Sequence, residues 1–367
     1  MDRTELLGLS LQETEEVVNG LGLPRFRARQ VYHWLYKHQV HSFYQMGNLP
    51  KELRYFLDQK ASITVPRVVK SRVSQDGTRK FLLELSDRKR IETVAIPQTR
   101  TGGTKYTICV SSQVGCPVGC TFCATGQSGF ERDLTAGEIT GQVVAVEREL
   151  KQREKSVSGS RLLANVVFMG MGEPLLNLDE VLKAISIIND EQGIGIGQRH
   201  ITISTAGFIP GIKALAETGL QVTLAVSLHA TTNEVRDRII PMNRRYRLEG
   251  LLDSISYYIE KTGRRVTFEY LLLEGVNSSV SDAYRLSRMV KPLLANVNLI
   301  PYNPTEGSQY RRPEQDTITR FMACLAGEGV NVTVREEMGA DIKAACGQLK
   351  AATNRRSKQE IRSLKSK

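Results

Sequence analysis

No uninterrupted apolar run of about 18 residues, the length that could span a bilayer, occurs anywhere in this 367-residue chain. Its opening stretch, MDRTELLGLSLQETEE, is too acidic and too poor in apolar residues to act as a secretory signal. A cytoplasmic protein with no membrane partner is expected. Cysteine is scarce, with six in all. In a reducing compartment six cysteines favour metal or catalytic use over a disulfide framework. The 41% of hydrophobic residues can build a sizeable core without such staples. A dinucleotide fingerprint is missing as well. Gly193-Ile194-Gly195-Ile196-Gly197 follows a helical pattern and precedes a strand, the reverse of the order that motif requires, and reads as a turn.

Acidic residues are outnumbered, leaving a formal charge of +11 that points to a polyanionic partner. The excess is uneven. From Lys350 onward the chain carries seven basic residues and one acidic residue among few apolar ones. That segment reads either as a solvated, disordered tail or as an RNA contact.

Four of the six cysteines lie in one stretch, CVSSQVGCPVGCTFC, from Cys109 to Cys123. Three of them, Cys116, Cys120 and Cys123, form C-x3-C-x2-C. Thiolates are soft ligands for iron–sulfur clusters and zinc. A structural zinc site needs four ligands, usually as two pairs, whereas this loop offers three. Four thiolates are the ordinary cluster arrangement, so three suggest a cluster with one iron open to a substrate. Structural zinc and inert buried thiols are the alternatives.

Residues 1–60 read as a small helical domain. Ser10 offers an N-cap with acids in the first turn that follows it. In LPRFRARQVYHWLYKHQ, Phe26, Gln30, Trp34 and His38 recur at helical spacing, which predicts Trp34 in the core and arginines on a wet face. A basic outer face could touch RNA phosphates. Residues 61–98 change to a period near two, with turns at Asp76-Gly77 and Asp87, and read as a β-meander. Residues 99–349 alternate apolar strands with amphipathic helices, the pattern of a parallel sheet covered by helices. Residues 350–367 are the basic tail. The fold class is α/β.

Such folds place their chemistry at strand ends. Gly172-Glu173-Pro174 follows ANVVFMGM, Ser204 closes HITIST, Ser227-Leu228-His229 closes VTLAVSL, and Asn303 follows VNLIPY. A carboxylate on a glycine-flanked turn suits an ammonium group; a plain Glu-Pro turn is the bland alternative. Singly these residues say little, but four strands ending in polar groups suggest one face. Cys324 sits among apolar helix residues and reads as packing. Glu92 reads as a solvent-facing strand position. Cys346, near the end of the repeats, and Cys109, before the loop, are left without a partner.

With Cys109 upstream and Thr121-Phe122-Cys123-Ala124-Thr125-Gly126 within and after it, the loop resembles that of the radical S-adenosylmethionine (radical SAM) enzymes. It closely resembles the adenine-C2 RNA methyltransferases of the RlmN/Cfr family. The ETV-x-IP strand at Glu92 and ADIKAACGQL around Cys346 match the family as well, while Arg100 to Lys105 looks like an insertion. The resemblance covers roughly residues 20–350.

It implies an incomplete (β/α)6 barrel with a [4Fe–4S] cluster on Cys116, Cys120 and Cys123. S-adenosylmethionine is expected against Gly172, Glu173, Ser204, Ser227, Leu228, His229 and Asn303. One such molecule methylates Cys346. A second, cleaved at the cluster, yields a 5′-deoxyadenosyl radical that takes a hydrogen from that methyl group. The carbon radical adds to adenine C2, Glu92 is the proton acceptor, and Cys109 resolves the adduct through a transient disulfide with Cys346. The implied partners are 23S rRNA, some tRNAs and an external electron donor of flavodoxin type, with the enzyme a monomer. A C8-directed relative would use nearly the same residues. A radical SAM enzyme with another substrate needs neither Cys346 nor a basic surface, and an iron–sulfur or zinc RNA-binding protein needs no S-adenosylmethionine pocket.

Overall fold

The computed structural model describes residues 3–100, 103–154, 161–305 and 307–350. Residues 351–367 of the basic tail, and part of the insertion at 100–105, lie outside the described residues.

In the N-terminal unit, β1 (Thr4–Glu5) pairs in parallel with β2 (Ala61–Ser62), closing a loop that contains three helices. These are α1 (Leu11–Gly20), α2 (Arg25–Tyr36) and α3 (Lys51–Lys60). Ser10 caps α1 through a reciprocal capping box with Glu13. The core stripe of α2 is not the one expected. Val31, Tyr32, Leu35 and Tyr36 are buried, whereas Phe26 is 53% exposed and Trp34 only partly covered. Trp34 stacks near His38 at 4.2 Å and donates its indole N–H to Asn48. Two stripes one residue apart satisfy the same helical period, and only packing selects between them.

The unit docks tightly against the rest of the chain. The Gly8 amide donates to the Tyr36 hydroxyl at 2.8 Å, and a Cβ on Gly8 would lie 2.3 Å from the Gly137 nitrogen. Only two glycines allow these backbones to meet.

The meander strands β3 (Arg67–Val73), β4 (Arg79–Glu84) and β5 (Arg90–Arg100) pair antiparallel. They do not stand apart from the rest. β5 pairs antiparallel with β6 (Gly103–Cys109), which begins the parallel series. After the hairpin of β7 (Gln113–Gly115) and β8 (Phe130–Asp133), that series runs through β9 (Leu163–Phe168), β10 (Ile201–Thr205), β11 (Thr223–Ser227), β12 (Val266–Leu272), β13 (Ala295–Pro301) and β14 (Val332–Val334). The ten strands form one file, β14-β13-β12-β11-β10-β9-β6-β5-β4-β3, whose two ends are not paired to each other.

Between them lie the short α4 (Ala124–Gln127) and then α5 (Ala136–Arg153), α6 (Leu178–Asn189), α7 (Ile209–Glu217), α8 (Asn233–Ile239), α9 (Leu248–Thr262), α10 (Val280–Val290) and α11 (Gln315–Gly327). Capping boxes at Thr135/Glu138 and Ser279/Asp282 start α5 and α10. α5 packs on α6, α7 on α9 and α10 on α11. β12 is buried along almost its whole length, whereas β10 alternates buried and half-buried positions. Among the described residues no helix is long and apolar enough to cross a membrane.

Candidate active site

Two adjoining cavities, of about 380 and 160 Å³, open beyond the ends of the parallel strands. The loop between β7 and β8 lines the smaller one. Gly115 sits where a Cβ would be 2.0 Å from the Gly129 oxygen, so the hairpin closes tightly and presents the loop between its strands. The Cys116 amide donates to the Gly129 carbonyl and that of Cys123 to Cys120. Cys116, Cys120 and Cys123 all line the smaller cavity. Burial raises the thiol pKa of all three, for Cys116 to about 12. Among the described residues no group of three His, Cys, Asp or Glu side chains is placed to hold a single metal ion. A zinc ion needs four donors within about 2.3 Å of one point. The three thiols line one cavity together, as ligands of a single bound group would.

The expected strand-end residues gather on the same cavity. Gly172, Glu173, Ser204, Ser227 and His229 line it. Gly172 has φ +110°, and a Cβ there would lie 2.7 Å from the Ser112 hydroxyl and from Gln113. Any side chain would displace both. Glu173 is buried and accepts from the Ala206 amide at 2.6 Å and the Leu175 amide at 3.2 Å. Burial pushes its pKa up to about 7 against the pull of those hydrogen bonds. His229 is held in the left-handed region at φ 55°, a conformation costing a non-glycine residue about 1 kcal/mol or more. Its Nδ1 accepts from the Leu271 amide at 3.0 Å, and its carbonyl from Asn277 at 2.7 Å. Burial, and then the Arg236 charge, drives its pKa down to about 3, leaving a neutral imidazole whose Nε2 carries the proton. Leu228 is different: its side chain is fully buried in the core and lines neither cavity. Asn303 lines the larger cavity rather than the smaller. Its Oδ1 is buried with no hydrogen-bond partner among the described residues, an orphan that calls for a ligand donor.

Cys109, at the end of β6, lines the larger cavity. Burial, reinforced by the nearby Cys346, raises its pKa to about 12, while Arg335 pulls the other way. Cys346 lines both cavities. All six cysteines are free, so a Cys109–Cys346 disulfide is not a feature of this state. The segment bearing Cys346 is anchored from both sides. The cluster-type loop holds it through Ala124 N–H to the Gly347 carbonyl (2.8 Å) and Thr125 Oγ1 to the Leu349 carbonyl (2.6 Å). The meander holds it through Lys80 Nζ to the Lys343 carbonyl (2.9 Å), and through Ser74 and Asp76 to Asp341 and Gly339.

Glu92 belongs to this anchorage. It is buried, not facing solvent, and lies outside both cavity walls. One oxygen pairs with Lys80 at 3.1 Å and the other accepts from the Lys350 amide at 2.8 Å.

Two arginines of the site are not legible in the sequence. Arg335 lines both cavities, and the electrostatic pull of Cys346 raises its pKa. It directly follows the last strand, as the other site residues follow theirs. Arg236 is fully buried and ties the carbonyls of Leu228, Ala206 and Ser227 together with Asn243, fixing the ends of β10 and β11. Nothing in its sequence context separates it from a surface helix arginine.

The chain matches the model of the radical SAM superfamily over residues 110–286 and that of the ribosomal RNA large subunit methyltransferase N-terminal domain over residues 4–63. It is 55% identical to a Syntrophomonas wolfei protein named "Probable dual-specificity RNA methyltransferase RlmN", covering 96% of this chain and 98% of that one. It is 47% identical to the "Dual-specificity RNA methyltransferase RlmN" of Nitratidesulfovibrio vulgaris, covering 95% of each. The crystal structure of a radical SAM methyltransferase from Sphaerobacter thermophilus superposes with a TM-score of 0.89 at 43% identity, covering 95% of this chain and all of that one.

Proposed function

Because this chain belongs to the RlmN family of radical SAM RNA methyltransferases, we propose that it methylates C2 of adenine in 23S rRNA and in tRNA. The observation that carries this reading is the place of Cys346, in a wall common to both cavities with Cys109 in the larger one. A thiol so placed can take a methyl group on one side and offer it on the other. We read the parallel part of the sheet as an incomplete (β/α)6 barrel, the protein as a monomer, and its reductant as an external one-electron donor.

Cys116, Cys120 and Cys123 would hold a [4Fe–4S] cluster, their thiols losing protons on ligation. Gly172, Glu173, Ser204, Ser227 and His229 would receive the methionine and ribose parts of S-adenosylmethionine, with the unpaired Asn303 oxygen as a further acceptor. When bound, these groups supply the electron, the methyl group and the hydrogen-abstracting fragment of a radical methyl transfer.

The chain's own residues do the rest. The Cys346 sulfur takes the methyl group and later carries its carbon to the base. Glu92 accepts the C2 proton, which requires its bond to the Lys350 amide to open first. The adduct's unpaired electron would return to the bound redox centre. Cys109 then attacks the Cys346 sulfur as a thiolate, a sulfur–sulfur bond forms, and the sulfur–carbon pair leaves with the methyl carbon, which takes up a proton to complete the methyl group. The guanidinium of Arg335 pulls the pKa of the Cys109 thiol down against the burial that raises it.

The test is anaerobic turnover of reconstituted protein with S-adenosylmethionine, dithionite and separate rRNA and tRNA substrates, followed by mass spectrometry of the nucleosides. The expected product is 2-methyladenosine from both. 8-Methyladenosine would assign the chain to C8 chemistry, and no methylated adenosine would remove the RNA reading.

A further inference from the structure

The loop from Cys116 to Cys123 has two faces. Its three cysteines line the smaller inner cavity. Thr121, between Cys120 and Cys123, instead lines a separate surface groove of about 700 Å³, walled by Arg238, Glu274, Tyr310 and Arg311. This groove shares no lining residue with either inner cavity. The loop is therefore the partition between them, and Thr121 is the point at which the partition is one residue thick in sequence.

That point is firmly built. The Thr121 amide donates to the Ile239 carbonyl at 3.1 Å, and its hydroxyl lies 2.8 Å from the Tyr310 hydroxyl. Tyr310 and Ile239 belong to the same apolar cluster as Cys116 and Cys120. Groove wall and thiol-bearing loop are thus one packed unit.

The rim is cationic. Arg238 and Arg311, both in its wall, are exposed and have no carboxylate partner among the described residues. Neighbouring arginines are compensated: Arg247 pairs with Asp237 and Arg312 with Glu337. Glu274 is the one acid among the lining residues. A groove with this sign recruits an acidic surface and steers its approach.

We propose that this groove docks an acidic one-electron carrier protein, the reductant of the thiolate-bound centre. The inference rests on the proposed radical function and names where its electron enters. The carrier loses one electron and the centre on Cys116, Cys120 and Cys123 gains it; no bond forms or breaks and no proton moves. RNA is the weaker occupant, because its adenine must reach Cys109 and Cys346 through the larger cavity, which has no wall in common with the groove.

The test uses full-length, cluster-reconstituted protein, an acidic flavodoxin as probe, and the variants Arg238→Glu/Arg311→Glu and Arg238→Lys/Arg311→Lys. The charge-reversed protein should bind flavodoxin about tenfold more weakly or worse at low salt and show slower bleaching of cluster absorbance by reduced flavodoxin. Its cluster content, RNA affinity and dithionite-driven release of 5′-deoxyadenosine should match wild type. The lysine variant should keep most of the affinity. Unchanged flavodoxin affinity in the charge-reversed protein, or a loss of RNA affinity in place of flavodoxin affinity, overturns the docking. Wild-type protein that releases no 5′-deoxyadenosine even with dithionite overturns the radical reading beneath it.

Discussion

The hydroxyl of Thr125 donates to the carbonyl of Leu349 at 2.6 Å, so the loop that carries three thiols also holds the segment that carries Cys346. Residues 224 apart in sequence are thereby fixed in one wall. Thr125→Val keeps the shape and removes the donor, at a net cost of about 1 kcal/mol. Iron content should be unchanged, while methyl loading of Cys346, read by mass spectrometry of its peptide, should fall roughly fivefold. Loss of iron with loading intact would place the bond in cluster assembly instead.

Glu92 and Lys80 form a buried pair, with side chains 8% and 11% exposed. Removing one partner strands the other, so Glu92→Gln should destabilise the protein by about 3 kcal/mol or more, and adding Lys80→Met should recover much of that. Stability and chemistry should then separate. If Glu92 accepts the C2 proton, the double variant melts near wild type yet does not methylate RNA. A double variant with restored turnover would leave Glu92 only its anchoring role.

Local pattern encodes the part of this molecule that is legible in its sequence. The C-x3-C-x2-C spacing and the polar residues closing successive strands survive as cavity walls, since strand ends in a parallel series face the same way. The features that are not legible depend on distant partners. Trp34 and Val31 obey the same helical period, and only the neighbours of α2 choose Val31 for the core. Glu92 reads as solvent-facing because the Lys80 and Lys350 groups that cover it come from other elements. The meander reads as a separate segment because the pairing of β5 with β6 leaves no local mark. Arg335, half-buried, and Arg236, fully buried, are charged residues whose places in the site arise from tertiary packing alone.

His229 makes the metal-free protein acid-sensitive. Its folded pKa of about 3 lies below the ordinary value of 6.5. The unfolded chain therefore binds a proton that the folded one refuses. Stability is full above about pH 6.5 and is lost as pH falls toward 3, by up to about 1.4 kcal/mol per pH unit. In denaturant titrations between pH 6 and 4, His229→Gln should remove about that much slope. An unaltered slope would mean that His229 is protonated in the folded protein.

The basic segment from Lys350 onward should add RNA affinity by neutralising phosphates. Deleting residues 351–367 should flatten the salt dependence of RNA binding by roughly 0.7 to 0.9 in logarithmic slope for each phosphate no longer neutralised. Release of 5′-deoxyadenosine should persist. An unchanged slope would make the segment a solvated extension.

The central claim is that Cys346 carries the methyl carbon to RNA and that Cys109 releases it, and one variant tests both halves. In Cys109→Ala the early steps proceed but the resolving thiolate is gone, so RNA should remain joined to protein. Denaturing electrophoresis should show a protein–RNA adduct in Cys109→Ala and none in Cys346→Ala or the double variant. After nuclease digestion, the Cys346 peptide should carry the mass of adenosine plus one methylene. Normal methylation by Cys346→Ala, or an adduct on any other residue, would contradict the account.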